Sequence, residues 1–406
     1  MNSDASSGSS IASPKRGAFR FILLLSLIGL SADVVYEGAR SISGNYLAFL
    51  GAGAAAIAFI IGFGELVGYT PRLLTGSMAD RTGRHWSFLF LGYGINAFVV
   101  PLMALCGNWT TAAALIILER ASKAIRAPAR DALLSYAGVE VGRGWAFGLN
   151  EAITSIGAVL GPVIVSIVMM VQGNYQDAFL VLMLPGVIAV ILLLFAWKYY
   201  PSPKEMERKT PSASENSLPR IFWIYVVGAC CVAIAYIDFP FLSYHFDRID
   251  SVPTVLIPVF YATANVIDAF GALFIGKFYD TAGMMVLIII TLISSLFVCF
   301  VFLDNTFLVL LGVALWGLGA ASQESIMRAI IADMVPANKR ASAFGIFSLL
   351  FGICWFIGTA AMGVIYNSSI IGVIILSVSV QLIAVCVFVY VMFLLRGYSG
   401  NQKNAS

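Results

Sequence analysis

The chain is short of charge. Only 11% of its 406 residues are Asp, Glu, Lys or Arg, and the formal net charge is +3. A soluble protein usually carries about 25% charged residues. With 60% apolar residues and a mean hydropathy of +0.91, the composition excludes a soluble enzyme, a nucleic-acid binder and a disordered chain. Cysteine is sparse as well. Cys106, Cys230, Cys231, Cys299, Cys354 and Cys386 lie in or beside apolar runs, with no metal-ligand spacing and no paired extracellular pattern. This argues against a zinc site or a disulfide framework and for small buried side chains. Also missing are a His-Glu-x-x-His zinc motif, a Gly-rich phosphate loop ending in Lys-Ser/Thr, and a Gly-x-Ser-x-Gly elbow. The sequence therefore offers no metal, no cofactor and no ATP-driven chemistry, and no enzyme is expected.

What it does have is long apolar runs. A spanning helix needs about 20 apolar residues, and the runs suffice for roughly twelve. The expected spans are 19–41, 46–76, 86–106, 110–136, 144–171 and 177–199, then 220–245, 253–277, 283–303, 306–333, 341–366 and 370–395. Pro201 to Pro219 is rich in Pro, Ser, Lys and Glu and reads as a solvated linker. The fold class is thus an all-α integral membrane protein with twelve transmembrane helices. Its expected organisation is a disordered tail over 1–18, a six-helix bundle over 19–200, a linker over 201–219, a second bundle over 220–395 and a tail over 396–406. Lys15, Arg16 and Arg20 before the run Phe21 to Leu30 imitate a secretory signal with a cut after Ala32. Continuation through Val34, Val35 and Tyr36 favours an uncleaved first span.

Sixteen of the 24 lysines and arginines fall in tails or loops on the side of the N-terminus, and only Arg248 lies in a loop on the other side. By the positive-inside rule both termini and the linker are cytoplasmic, in the plasma (cell inner) membrane.

The halves repeat. Gly76-Ser-Met-Ala-Asp80-Arg81-Thr-Gly83-Arg84 ends the second span, and Gly276-Lys-Phe-Tyr-Asp280-Thr-Ala-Gly283 ends the eighth. Arg143-Gly-Trp-Ala146-Phe147-Gly148 opens the fifth, and Arg340-Ala-Ser-Ala343-Phe344-Gly345 opens the eleventh. Parallel halves related by an axis along the membrane normal are one known transporter architecture.

At these residues the chain resembles the major facilitator superfamily. The loop Gly76-x-x-x-Asp80-Arg81-x-Gly83-Arg84-His85 matches its signature after the second span, with His85 replacing the last basic residue. Arg120 stands where the family often has an arginine, although Ala121, Ser122 and Lys123 follow it instead of Gln-Gly. Gly148-x8-Gly157-x3-Gly161-Pro162 looks like the fifth-span signature of proton-driven exporters, but Val165 and Ser166 replace its last two glycines. The resemblance implies a pseudo-symmetric twelve-helix transporter. It also implies a conformational latch at Gly76, Asp80, Arg81, Gly83, Arg84, Asp131, Arg143, Gly157, Gly161, Pro162, Asp280 and Arg340, in which Arg84 reaches Asp131.

Charges within the spans point to a site. Each costs about 2.5–3.5 kcal/mol at the bilayer centre on insertion scales. The cations are Arg40, Arg72, Arg120, Lys123, Arg126, Arg130 and Arg328; the acids are Asp33, Glu37, Glu65, Glu119, Asp131, Asp238, Asp268 and Glu324. Near-equal numbers suggest pairing around a wet cavity. At about 100° per residue, the six charges of the fourth span share one side. Asp33, Tyr36, Glu37 and Arg40 share a face of the first span, and Glu324 and Arg328 form an i,i+4 pair in the tenth. The expected substrate and proton site is Asp33, Tyr36, Glu37, Glu119, Arg120, Lys123, Arg126, Asp238, Glu324 and Arg328. Glu65 is assigned to a structural pair with Arg72, His245 to the outer interface, and Trp316 and Trp355 to cavity lining or packing. The expected function is alternating-access transport of a small polar or amphiphilic solute by a monomer, with the proton as coupling ion. Proton-coupled export (antiport) comes first, proton symport of an organic anion second, and a non-transporting membrane sensor is the remaining alternative.

Overall fold

The computed structural model describes residues 14–141, 143–201, 218–335 and 340–403. Of the expected N-terminal tail, residues 1–13 lie outside the described residues and 14–18 open the first helix; of the expected linker 202–217 lie outside; and 396–403 of the expected C-terminal tail continue the last helix. Every regular element among those described is helical. The N-terminal part runs α1 (Pro14–Phe49), α2 (Ala54–Tyr69), α3 (Arg72–Thr82), α4 (His85–Leu102), α5 (Trp109–Val141), α6 (Arg143–Gln172), α7 (Tyr175–Val181) and α8 (Met183–Tyr199). The C-terminal part runs α9 (Arg220–Ala235), α10 (Phe239–Arg248), α11 (Ile257–Ala282), α12 (Met284–Ser294), α13 (Phe297–Val301), α14 (Thr306–Ala321), α15 (Met327–Met334), α16 (Arg340–Ser368) and α17 (Ile370–Lys403).

Among the described residues, ten helical stretches are long and apolar enough to cross a membrane. The two expected spans that miss this measure are informative. α5 has the length, 33 residues, but carries six charges between Glu119 and Asp131. α14 is apolar but stops after 16 residues, where a π-helical turn, Ser322–Ile326, leads into α15. That turn interrupts the continuous tenth span expected from sequence and shifts the register between Glu324 and Arg328.

Two further spans are broken at prolines, which remove a helical N–H and clash with the preceding turn. Pro71 separates α2 from α3. Pro240 sits at the start of α10, and residues 236–238 leave the helix. A backbone group freed at bilayer depth must be satisfied by protein. Ser377 Oγ donates to Ala235 O at 2.7 Å, and Trp316 Nε1 donates to Ile237 O at 2.8 Å. Asp238 caps α10 by accepting from its own neighbour, Phe239 N, at 2.9 Å.

Helices cross closely where a side chain is absent. A Cβ on Gly157 or Gly161 of α6 would collide with the carbonyls of Leu30 and Val34 in α1. In the C-terminal part, a Cβ on Gly358 of α16 would collide with Ile234 O of α9. Gly358 repeats Gly161 and Ile234 repeats Val34, so one backbone crossing is built twice.

The two parts meet at α1 with α10, α2 with α16, and α6 with α11. Gly44 lies against the Pro240 carbonyl, and Gly62 against Phe356 and Thr359. Asn265 Nδ2 donates to Ala158 O at 2.9 Å, and Ser166 Oγ to Val255 O at 2.5 Å. These contacts lie mid-span or toward the end away from the chain termini. α3 and α15, at the terminus end, make their main contacts within their own parts.

Gly161→Ala should lower the thermal unfolding temperature of detergent-solubilised protein, because overpacking against fixed backbone costs about 1–3 kcal/mol. Gly148→Ala, where a Cβ meets nothing within 4 Å, should leave it unchanged or raise it.

Candidate functional site

α1 is unbroken, so Asp33, Tyr36, Glu37 and Arg40, three or four residues apart, stack along one face. α5 presents Glu119, Arg120, Lys123 and Arg126 to the same region. The ring of Tyr36 is the meeting point: Lys123 Nζ lies 4.0 Å and the Arg120 guanidinium 4.4 Å from its centroid. Glu65, reaching in from α2, lies 3.4 Å from Arg120 Nη1 and 3.5 Å from Arg40 Nη2. Glu119 Oε2 is 3.7 Å from Arg120 Nε.

Among the described residues, two hydrogen bonds carry this network across to the C-terminal part. Arg40 Nη2 donates to Asp238 Oδ1 at 2.5 Å, and the Tyr261 hydroxyl of α11 donates to Glu37 Oε2 at 2.6 Å. Asp238 is fully buried, and the side chains of Glu119, Arg120 and Glu65 are 4%, 5% and 9% exposed. Desolvated charges of this kind need each other. Their pairing is incomplete. Glu65 Oε1, Glu119 Oε1, Asp238 Oδ2, Arg40 Nε and Arg120 Nη1 are buried without a hydrogen-bond partner among the described residues. The centre thus holds unspent acceptors and donors together, which suits a polar solute or a proton. Among the described residues no three His, Cys, Asp or Glu side chains gather as a metal site.

Of the expected site residues, Tyr36, Glu37, Glu119, Arg120, Lys123 and Asp238 converge here. Asp33 is half-buried and within electrostatic reach of Lys123 and Arg130. Arg126 stands one step away, donating to Ser122 Oγ at 2.9 Å with its guanidinium 5.1 Å from the Tyr93 ring centre. Arg328 is exposed on α15, within electrostatic reach of Arg72 rather than of the centre. The Glu324 side chain lies outside the described residues.

Arg40, Glu65 and Tyr261 join the site beyond the residues that the sequence pattern points to. Glu65 does not pair with Arg72. Past the interruption at Thr70 and Pro71, Arg72 covers the Tyr69 ring at 4.6 Å and donates to Gly68 O at 2.7 Å. His245 is fully buried rather than interfacial, with Nδ1 2.7 Å from the Tyr366 hydroxyl. Trp316 packs 5.5 Å from the Tyr236 ring.

In the latch region Gly83 turns with φ +67°, and Arg81 and Arg84 are exposed. A Cβ on Gly76 would touch Pro128 of α5. Asp131 is not reached by Arg84. It is held by its neighbour Arg130, through Nε at 3.1 Å and Nη2 at 3.0 Å, while Arg84 faces outward at the start of α4. The side chains of Asp80, Arg143, Asp280 and Arg340 lie outside the described residues. Gly157, Gly161 and Pro162 are buried within α6, the two glycines at its crossing with α1.

Arg120→Ala should cost about 3–5 kcal/mol, the penalty for leaving a buried partner charge uncompensated. Glu65 and Glu119 both lose a cation, so the unfolding temperature should fall well below that of Leu118→Ala, at a 42% exposed neighbour.

The sequence profile of the Major Facilitator Superfamily matches residues 18–303 and 283–406. The chain is 38% identical over 378 residues to Rv2265 of Mycobacterium tuberculosis, covering 91% of this chain and 92% of that protein. It is 25% identical over 349 residues to the MFS-type transporter MJ1317 of Methanocaldococcus jannaschii, covering 82% and 85%. Its fold is similar to the crystal structure of the nucleoside transporter NupG (TM-score 0.70, 15% identity, 93% of this chain and 99% of that one). It is also similar to a bacterial homologue of the human lysosomal transporter Spinster in an inward-facing conformation (TM-score 0.63, 12% identity, 94% and 96%). With a charged network buried among membrane-spanning helices and a family match along almost its whole length, the chain belongs to the Major Facilitator Superfamily of transporters.

Proposed function

We propose that the protein is a proton-coupled exporter, an antiporter that exchanges protons for a small polar or amphiphilic solute by alternating access. The moving bodies are the bundles 19–200 and 220–395, joined by the linker 201–219, in the plasma membrane with both termini cytoplasmic. The observation that carries this reading is that two bonds of the buried network, Arg40 to Asp238 and Tyr261 to Glu37, cross between the two parts. Rocking the bundles apart at the far end must break both. The energy of the conformational change is therefore tied to the charge state of groups that a proton or a solute can alter.

Contacts concentrated away from the termini correspond to a state closed on the outside. In the opposite state α1 and α10 separate and the terminus end closes. The segment Gly76 to His85, which is the end of α3 and its turn into α4, and its counterpart at Asp280, with Arg143 and Arg340 opening α6 and α16, are the proposed latch of that second state. Asp131 becomes available to it once released by Arg130. Solute binding uses the orphaned polar atoms around Glu65, Glu119 and Arg120 and the aromatic faces of Tyr36 and Tyr261.

A second reading, proton symport of an organic anion, is favoured by one observation: Lys123 has a ring rather than a carboxylate as its close partner. Inverted vesicles separate the two. An acid interior should drive solute uptake with wild type and not with Glu37→Gln for an exporter. Solute efflux driven by the same gradient supports the symporter. Fluxes unaffected by the gradient would sink both.

A further inference from the structure

The position of Glu65 in the network is unequal to its charge. Its Oε1 lies within ion-pair range of two guanidiniums, yet neither gives it a hydrogen bond. Arg40 spends its short bond on Asp238 Oδ1, 2.5 Å away across the seam, while Glu65 waits 3.5 Å from the same Nη2. Asp238 stands at the start of α10 and Glu65 on α2, so one carboxylate belongs to each part. When the far end opens, α10 carries Asp238 away from α1. A buried guanidinium cannot be left without an anion, and Glu65 stays with Arg40 in its own part.

We propose that Glu65 is a proton-binding residue of the transport cycle, and that its protonation decides which carboxylate holds Arg40. The ionised carboxylate competes with Asp238 for Arg40 and so favours release of α10. The protonated carboxyl does not compete, Arg40 stays on Asp238, and the outer seam stays shut. The proton comes from solvent onto Oε1 and returns to solvent; no covalent bond changes elsewhere. This rests on the proton-coupled reading above and deepens it. A carrier that closes outward when protonated brings the proton in, and one that opens outward when deprotonated sends a solute out.

Other charges surround the site and set its balance. Arg40 and Glu37 face it from α1, Glu119, Arg120 and Lys123 from α5, Asp238 from α10, and Arg72 from the far side of the Pro71 break. Tyr261 on α11 holds Glu37. The internal repeat points to the same residue. The position 200 residues on is Asn265, which also works at the seam, donating to Ala158 O, but carries a side chain that cannot titrate. The proton site was placed in only one copy of the repeat.

Hydrogen–deuterium exchange on the purified full chain in lipid nanodiscs tests this, reading peptides from α10 and residues 40–49 at one pH near neutrality. Glu65→Gln should exchange roughly tenfold more slowly than wild type there, the change given by about 1.4 kcal/mol. Asp238→Asn should exchange faster. Exchange in Glu65→Gln equal to or faster than wild type overturns the proposal. Should Glu65→Gln fail to fold, wild type alone decides. Protection of α10, corrected for intrinsic rates, should be highest in acid and fall as pH rises, since the proton stabilises the shut seam. Protection that does not change with pH overturns it. The readout needs neither solute nor gradient, so a failure of proton-driven flux in vesicles and a failure of this switch are separate results.

Discussion

Everything about this protein turns on the cost of keeping an arginine dry. Arg40 and Arg120 sit at depths where an unpaired guanidinium is not tolerated, and the chain answers with carboxylates drawn from four different segments: Glu37 on α1, Glu65 on α2, Glu119 on α5 and Asp238 at the break before α10. In water such pairs contribute little. Here they decide how helices are arranged, because moving any one of them strands a charge. That makes the network rigid within the N-terminal part and conditional where it crosses to the C-terminal part.

The same constraint governs the backbone. Breaking a helix inside a bilayer exposes carbonyls that lipid cannot serve. The break at residues 236–238 survives because Ser377 and Trp316 supply donors from α17 and α14. In return it places Asp238 where a continuous helix would not, with one oxygen on the N–H of Phe239 and on Arg40 together. An irregular segment and a buried ion pair are thus one device, each explaining the presence of the other.

Much of the fold is written in the apolar runs, since a bilayer admits few alternatives to helices of that length. The interruptions are harder to see. A proline marks where a helix can fail, but whether it does depends on donors far along the chain, and Ser377 advertises nothing in its own neighbourhood. The site was legible to the extent that helical spacing fixes a face: Tyr36, Glu37, Arg120 and Lys123 follow from position alone. A two-turn step pairs Glu65 with Arg72 only on an uninterrupted helix, and the break at Pro71 removes that condition. Tyr261 is one tyrosine among 16, with nothing local to distinguish it. Arg84 and Asp131 look complementary in sequence, yet Arg130 is simply nearer.

The internal repeat gives the asymmetry its meaning. Tyr36 and Tyr236 occupy equivalent places and are both buried. Around Tyr36 stand Arg120 and Lys123; around Tyr236 stand Trp316, Phe297 and Trp355. Glu119 and Arg120 correspond to Trp316 and Gly317, and the contact of Gly64 with Arg120 corresponds to that of Ala264 with Gly317. The scaffold was kept twice while the chemistry diverged: one part gathers ions around its tyrosine, the other a stacked aromatic wall from which Asp238 and Tyr261 reach across the seam. Two equally charged parts would repel or lock across the seam. One charged part facing one aromatic part joins the buried network through two bonds, Arg40 to Asp238 and Tyr261 to Glu37, which leaves the pair of bodies able to separate and rejoin.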